Sequence, residues 1–153
     1  MSAEARLKEL NLTLPPPPKP AGVYKAVVVI GKMAYVSGHG PLQDDGTMIT
    51  GKIGAGSDQQ AGYDAARQTA LAILSSVQKQ LGSLDRVARL IKSLGMVNCT
   101  PDFEQHPAVI NGYSEVMSAV FGPDNGVGAR SAVGMGSLPG NITVEIEAIF
   151  ELK

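Results

Sequence analysis

The chain has 153 residues, of which 44% are hydrophobic and 18% are charged, and its formal net charge at pH 7 is -1. This length favours one domain with a sizeable core, and the lack of a basic excess disfavours nucleic acid or an anionic membrane as partner. No apolar run approaches the roughly 18 residues of a membrane span, and the polar N-terminus lacks the apolar stretch of a secretory signal. The single cysteine, Cys99, excludes an intramolecular disulfide. We therefore expect a soluble cytoplasmic protein.

Residues 1–21 are predicted to form an N-terminal arm ahead of a single domain at residues 22–153. Residues 2–10 favour a short helix, with Leu7 and Leu10 as its apolar contacts. The proline-rich stretch at residues 14–20 is typical of polyproline II. It is either a ligand for proline-recognising modules or a stiff arm laid over the domain surface. The second interpretation is favoured because no basic anchor pattern recurs around it.

Two strands and a loop are predicted next. Residues 24–30 and 33–37 are rich in β-branched and aromatic residues and are separated by a Gly-Lys pair, which indicates a β-hairpin. Residues 37–41 are expected to break the second strand. Residues 42–57 contain several glycines and are typical of a loop, with a short extended piece around residues 48–49.

Two helices and a strand occupy the middle of the chain. Asp58 can cap an amphipathic helix that runs to about Leu81, where Gly82 stops it. Residues 87–98 favour a strand. A second long helix is expected to begin at residues 100–104, where a proline precedes two acids, and to end before Gly122.

The last part of the chain is predicted to be a hairpin, with strands at about residues 129–138 and 142–152 and a turn at 139–141. The second strand alternates cleanly between an apolar and a mostly polar face. Arg130 stands out because it opens a strand otherwise built of small, uncharged residues, and Glu145 because a carboxylate in the middle of a strand is either an ordinary surface charge or a pocket group. In such a hairpin they would lie about four positions, or about 14 Å, apart. They would therefore share a ligand only through long converging side chains or a second subunit.

The predicted element order is β-β-α-β-α-β-β. This order favours an α+β fold, in which two helices cover one face of a mostly antiparallel sheet. The first strand carries apolar residues on both faces. A sheet buried on both sides by only one layer of helices indicates an oligomer.

Several short motifs occur in a recognisable order, and the C-terminal ones are the most specific. They are Tyr24 after Ala-Gly-Val, Tyr-Val-Ser-Gly at 35–38, Asn111-Gly-Tyr, Ala-Arg-Ser at 129–131, Leu-Pro at 138–139 and Val-Glu-Ile-Glu-Ala-Ile at 144–149. Over roughly residues 22–152 the chain thus resembles the reactive intermediate deaminase family, also called the Rid, YjgF or L-PSP endoribonuclease family. The resemblance implies a chorismate-mutase-like fold, a homotrimer with ligand clefts between subunits, and no cofactor. Active members hydrolyse 2-imino or 2-enamino acids to keto acids and ammonia.

The resemblance also implies roles for individual residues. Arg130 would bind the substrate carboxylate with its planar fork, and Glu145 would orient or deprotonate the attacking water. The backbone of Gly38 would lie close to the ligand. Further substrate contacts would come from Tyr24, Ser37, Asn111 and Ser131.

Structural alternatives exist for these residues when they are considered alone. Arg130 could form an interface ion pair, and Glu145 could be an ordinary exposed strand residue. Tyr24 could serve packing, while Ser37 and Asn111 could make local hydrogen bonds. No metal site is predicted, because the two histidines and Cys99 do not fall at metal-ligand spacings.

The sequence departs from the family pattern at three positions. Ala132 stands where active deaminases often have cysteine, His39 where glutamine is usual, and Gly128 where proline is common. The anion site is unaffected by these changes, so a non-catalytic trimeric binder of small carboxylates is the alternative to a deaminase. Ribonuclease activity is suggested only by a family label, and the absence of a basic patch disfavours it.

Overall fold

The computed structural model describes all 153 residues and contains three α-helices and two sheets. The α+β prediction is confirmed. Two short 3-10 segments, Leu84–Arg86 and Pro139–Asn141, complete the regular structure. The elements are α1 (Ala3–Glu9), β1 (Val27–Ile30), β2 (Met33–His39), β3 (Lys52–Ile53), β4 (Gly56–Ser57), α2 (Gln59–Leu81), β5 (Val87–Asn98), α3 (His106–Phe121), β6 (Ala129–Met135) and β7 (Val144–Leu152).

The main sheet has the strand order β1-β2-β7-β5-β6, and only the β5–β6 pair is parallel. The predicted first hairpin is confirmed, but the predicted final hairpin is wrong. Strand β5 lies between β6 and β7, so Arg130 pairs with Ser93 and Glu145 pairs with Met96. The connection from β6 to β7 passes over the end of β5. There the Asn98 side-chain amide donates to the carbonyl oxygen of Ile142, 3.1 Å away.

Helix α2 forms as its sequence predicts. The Asp58 carboxylate accepts a hydrogen bond of 2.8 Å from the Ala61 N–H, which caps the first turn. Gly82 ends the helix in the left-handed region, with φ of 83°. Helix α3 begins at His106, later than predicted. Backbone groups of residues 100–103 are bonded to Ile53 and within their own turn, so they are not available to a helix.

The core lies between the sheet and the α2–α3 layer. Strand β7 shows the predicted alternation, with Val144, Ile146, Ala148, Phe150 and Leu152 buried towards the helices. The opposite face of the sheet, called here the open face, carries no helix. Strand β2 does not break at residue 37 as predicted. A bulge between Val36 and His39 shifts its register, and the strand continues.

The N-terminal arm lies over the domain, as the favoured interpretation expects. Leu7 is buried, whereas Leu10 is 44% exposed and is not the core contact that was predicted. Leu12 and Leu14 pack against the core, and the buried Ser75 hydroxyl donates to the carbonyl oxygen of Pro15 at 2.6 Å. None of the three helices is long and apolar enough to cross a membrane.

Candidate functional site

Arg130 projects from β6 towards α3, on the helix-covered face of the sheet. Its guanidinium donates to the Ser114 hydroxyl at 2.9 Å and to the Pro107 carbonyl at 3.4 Å. Both acceptors are neutral. The only ion pair of the chain joins Arg89 to Glu151, at 3.7 Å, so no carboxylate neutralises Arg130. A half-buried arginine of this kind has donors left for an anionic ligand.

A cleft of about 220 Å³ opens beside Arg130. Asn111 and Ser114 line it from α3, three residues apart and hence on one helix face. Gly128 lies on the opposite wall. A Cβ atom there would come within 2.8 Å of the carbonyl oxygens of Leu90 and Ile91, so a glycine lets β6 begin directly against β5. The cleft therefore combines one cation with amide and hydroxyl groups.

Glu145 lies on the open face, because its neighbours Val144 and Ile146 point into the core. Gly38 makes room for its carboxylate. A Cβ atom on Gly38 would stand 3.0 Å from both Cδ and Oε1 of Glu145. Partial burial, and secondarily the charge of Glu147, raise the pKa of Glu145 above its ordinary value. The carboxylate is thus a stronger base than a fully solvated one.

Tyr24 lies just before β1 and is 48% exposed. Its hydroxyl oxygen accepts a hydrogen bond of 3.1 Å from the Ala21 N–H. Tyr24 and Gly38 line a cavity of about 90 Å³.

The two candidate serines face a different cavity. The Ser37 hydroxyl donates to the Lys25 carbonyl at 2.6 Å. Ser37 and Ser131 both line a cavity of about 470 Å³ on the open face, together with Lys92 and Glu147. Neither serine side chain therefore enters the cleft beside Arg130 in one chain, although Ser131 directly follows Arg130 in sequence.

His39 is buried on the opposite side of β2 from Ser37, because the bulge reverses the side-chain alternation. Its Nδ1 lies 2.6 Å from the Ser37 carbonyl oxygen, which can only accept, so Nδ1 carries the proton. Nε2 then accepts from the Ser76 hydroxyl at 2.7 Å. Burial lowers the pKa of His39, so the ring is neutral at pH 7. The imidazole joins the bulge to α2.

Apart from these two serines and His39, the residues near the candidate site fall into two groups. The first group, the arginine edge, consists of Arg130, Asn111 and Ser114. The second, the glutamate side, consists of Tyr24, Gly38 and Glu145. Arg130 is level with Ala148 across β5, whereas Glu145 precedes Ala148 by three residues on β7 and lies on the other face of the sheet. The separation of about 14 Å that a hairpin predicts therefore does not apply, because β5 lies between the two strands. One chain does not bring both side chains to one ligand.

The sequence model of the family described as Endoribonuclease L-PSP matches residues 16–152. The chain belongs to this family. It is 40% identical over 149 residues to Protein TCP17 of Trypanosoma cruzi. This match covers 97% of the chain and 93% of that protein. Among solved structures it is similar to protein Atu1372 of Agrobacterium tumefaciens, of unknown function, at 40% identity and a TM-score of 0.88, over 98% of this chain and 91% of that one. A candidate endoribonuclease of Shewanella oneidensis MR-1 shares 25% identity with a TM-score of 0.94, over 99% and 100%. The resemblance read from the motifs is confirmed.

Two residues near the candidate site of this L-PSP family member, Ser114 and Ala21, are not predicted from the sequence. Ser114 was not singled out, although its i+3 spacing from Asn111 is a signal that helix periodicity provides. Ala21 acts through its backbone N–H, which no side-chain pattern reveals. Ala132 follows Arg130 on the same face of β6 and packs against the core. It adds no reactive group to the cleft.

Cys99 does not replace the cysteine that is missing at position 132. It is buried, and its Sγ lies 3.5 Å from Nε2 of His106. Burial raises the pKa of the thiol, so it stays protonated at neutral pH and is a poor nucleophile.

Proposed function

We propose that the chain is a homotrimeric hydrolase that deaminates reactive 2-imino and 2-enamino acids to 2-oxo acids and ammonia. The substrate lies in a cleft between two copies. The observation that carries this proposal is the half-buried Arg130, which faces a cleft with no carboxylate partner. A carboxylate on a small substrate supplies the missing charge and matches the planar fork.

The two groups of residues supply complementary chemistry when they come from neighbouring copies. Arg130 of one copy holds the carboxylate, and Glu145 of the next takes a proton from a water that attacks the imine carbon. The substrate reacts as its protonated iminium, so the carbon–oxygen bond forms as the C=N electron pair moves to nitrogen and leaves a neutral amine. Glu145 then returns its proton to that amine. The carbon–nitrogen bond breaks as the hydroxyl oxygen forms the carbonyl and gives its proton to the departing ammonia, which leaves as ammonium. Imines hydrolyse readily, so orientation of the water contributes much of what is needed.

The open face supports an assembly of several copies. It exposes apolar side chains in the middle of strands, including Val28 at 41%, Tyr35 at 44% and Val133 at 37%. Burying such a surface against another copy is favourable. A trimer with the β6 edge of one copy against the glutamate side of the next would bury this apolar surface and would bring Arg130 and Glu145 of neighbouring copies to one cleft.

A second candidate is a non-catalytic binder of small carboxylates that uses the same cleft. It is favoured by Ala132, since the arginine edge then has no reactive side chain. Ribonuclease activity is not favoured, because the chain has a net charge of -1 and no basic surface to follow a phosphate backbone.

The shared cleft is tested by complementation. Arg130→Ala and Glu145→Gln are each expected to abolish most imine hydrolysis, measured with 2-aminoacrylate generated in situ. When the two variants are unfolded together and refolded as mixed trimers, about one quarter of the clefts regain both groups, and activity returns in proportion. Arg89→Ala, which changes an exposed arginine, is the control.

Three outcomes distinguish the deaminase with a shared cleft from the non-catalytic binder. Mixed trimers that light scattering verifies but that stay inactive would place both residues in one subunit's site and contradict the proposal. A wild type that decays the imine no faster than buffer, yet binds 2-oxo acids in an Arg130-dependent way, supports the binder. A monomer removes the shared cleft altogether.

A further inference from the structure

The N-terminal arm reaches the cavity that Tyr24 and Gly38 line. The proline-rich part of the arm is anchored at Pro15, which is buried and whose carbonyl oxygen accepts a hydrogen bond from the Ser75 hydroxyl. Residues 18–21 then form one wall of the cavity. Prolines occupy positions 15–18 and 20, and each fixes its own φ angle. The wall that follows the anchor at Pro15 is therefore stiff.

The arm also orients the Tyr24 phenol. The Ala21 N–H donates to the phenol oxygen, at 3.1 Å, and no protein group accepts the phenol's own proton. That proton is left for an acceptor in the cavity. Without the arm, a side chain that is 48% exposed would have no partner to hold it in this position.

The remaining walls of the cavity are largely apolar. Ala26, Leu42 and Met48 line it together with Pro18 and Pro20. Its volume is about 90 Å³. This is well below the roughly 300–1,000 Å³ of pockets that take drug-sized ligands, so the cavity suits a small group.

We propose that the arm is the outer wall of the substrate site and sets its specificity. It admits 2-imino acids with short, unbranched side chains, and it excludes branched and aromatic side chains. This inference rests on the proposed function, because the substrate carboxylate is held by Arg130 of a neighbouring copy while its side chain enters the cavity beside Tyr24.

The test compares two double variants of the full chain. Pro18→Gly with Pro20→Gly loosens the wall, and Pro16→Gly with Pro17→Gly makes the same chemical change at exposed positions that do not line the cavity. Binding of the stable products 2-oxobutanoate, 4-methyl-2-oxopentanoate and phenylpyruvate is measured by calorimetry, and folding is checked by thermal unfolding. Imine decay is followed in parallel.

The wild type is expected to bind 2-oxobutanoate at least about tenfold more tightly than the two larger acids, since an oversized group costs about this much in a fitted pocket. The wall variant should lose most of that preference, and the matched control should keep it. Equal preference in both double variants, or none in the wild type, would overturn the inference. A wild type that discriminates between the oxo acids but does not hydrolyse imines would overturn the proposed reaction and leave the wall in place.

Discussion

The arginine edge and the glutamate side differ in charge. Arg130 stands alone as a cation among neutral hydroxyl and amide groups. On the other side, Glu145 and Glu147 project from the same face of β7, and partial burial, together with the charge of Glu147, raises the pKa of Glu145. In the proposed assembly of several copies, the two surfaces would therefore be electrostatically complementary.

The two regions also differ in how they are built. The arginine edge rests on a long helix and a strand that Gly128 lets approach closely. The glutamate side depends on the bulge at residues 36–39, a loop and the N-terminal arm. Regular elements hold Arg130, whereas irregular segments shape the surroundings of Glu145. Binding of a carboxylate should thus tolerate changes that alter specificity and rate.

The largest effect is expected from Arg130→Ala. Truncating one partner of a desolvated charged contact typically costs about 2–5 kcal/mol, so affinity for 2-oxobutanoate should fall at least about 30-fold. Arg130→Lys should recover little, because an ammonium lacks the planar fork. Calorimetry checks both. The exposed Arg89→Ala is the control, and an equal loss there would show that general charge, rather than the arginine edge, attracts the ligand.

The second prediction concerns Gly112, in the helical layer that supports both regions. Gly112 lies where α3 crosses α2, and a Cβ atom there would collide with the backbone carbonyl of Tyr63. Backbone cannot yield as a flexible side chain can, so Gly112→Ala should cost about 1–3 kcal/mol of unfolding free energy. Thermal unfolding should show a fall of roughly 2–12 °C.

Gly136→Ala is the matched control for that change, because nothing lies within 4 Å of its added methyl group. An unchanged melting temperature in Gly112→Ala would mean that the helices can separate without loss. The two regions would then be less firmly connected than their common helical layer indicates.

The fold was predictable where local chemistry decides it. The cap at Asp58, the stop at Gly82 and the alternation of β7 each follow from their own residues. The final hairpin was not, because alternation determines which face a residue takes and not which strand lies beside it. Strand β6 is made of small residues that select no particular neighbour. Its partner is β5, which the chain supplies thirty or more residues earlier.

The candidate site was predictable in its charges and not in its geometry. Arg130 could be chosen as the only charge in its strand, whereas family position selects Glu145 from the three glutamates of β7. Their placement on opposite faces depends on the insertion of β5, which no local pattern encodes. The reversal at His39 comes from a bulge, and strict alternation wrongly puts Ser37 and His39 on one side.

Glu145→Gln tests the reacting side of the comparison by pH. Because the pKa of Glu145 is raised, wild-type kcat/KM should fall as pH drops through that pKa, above the ordinary value of 4.5. The variant should have low activity without this acid limb. Glu147→Gln should keep the limb and move it to lower pH, since one cause of the shift is removed. A limb that survives in Glu145→Gln would belong to another group.

The smallest effect is expected at His39 and distinguishes the two regions by stability. Its pKa is lowered below 6.5, so between the folded pKa and 6.5 the unfolded chain binds more protons than the folded one. Stability is therefore complete above pH 6.5 and is lost as pH falls through the folded pKa. His39→Gln should remove this dependence. Ser76→Ala should cost about 1 kcal/mol at pH 7, because it deletes the donor to Nε2.

Hydrogen exchange would show which residues lose protection when acid lowers the stability of the fold. Since His39 joins the bulge to α2, acid should speed exchange at residues 36–40 of the glutamate side before it affects β6. Binding of 2-oxo acids through Arg130 should then persist at a pH where imine hydrolysis has already declined. If residues 129–135 loosen at the same pH as the bulge, the two regions open as one unit, and the division between a rigid anchor and a loosely built reacting side is wrong.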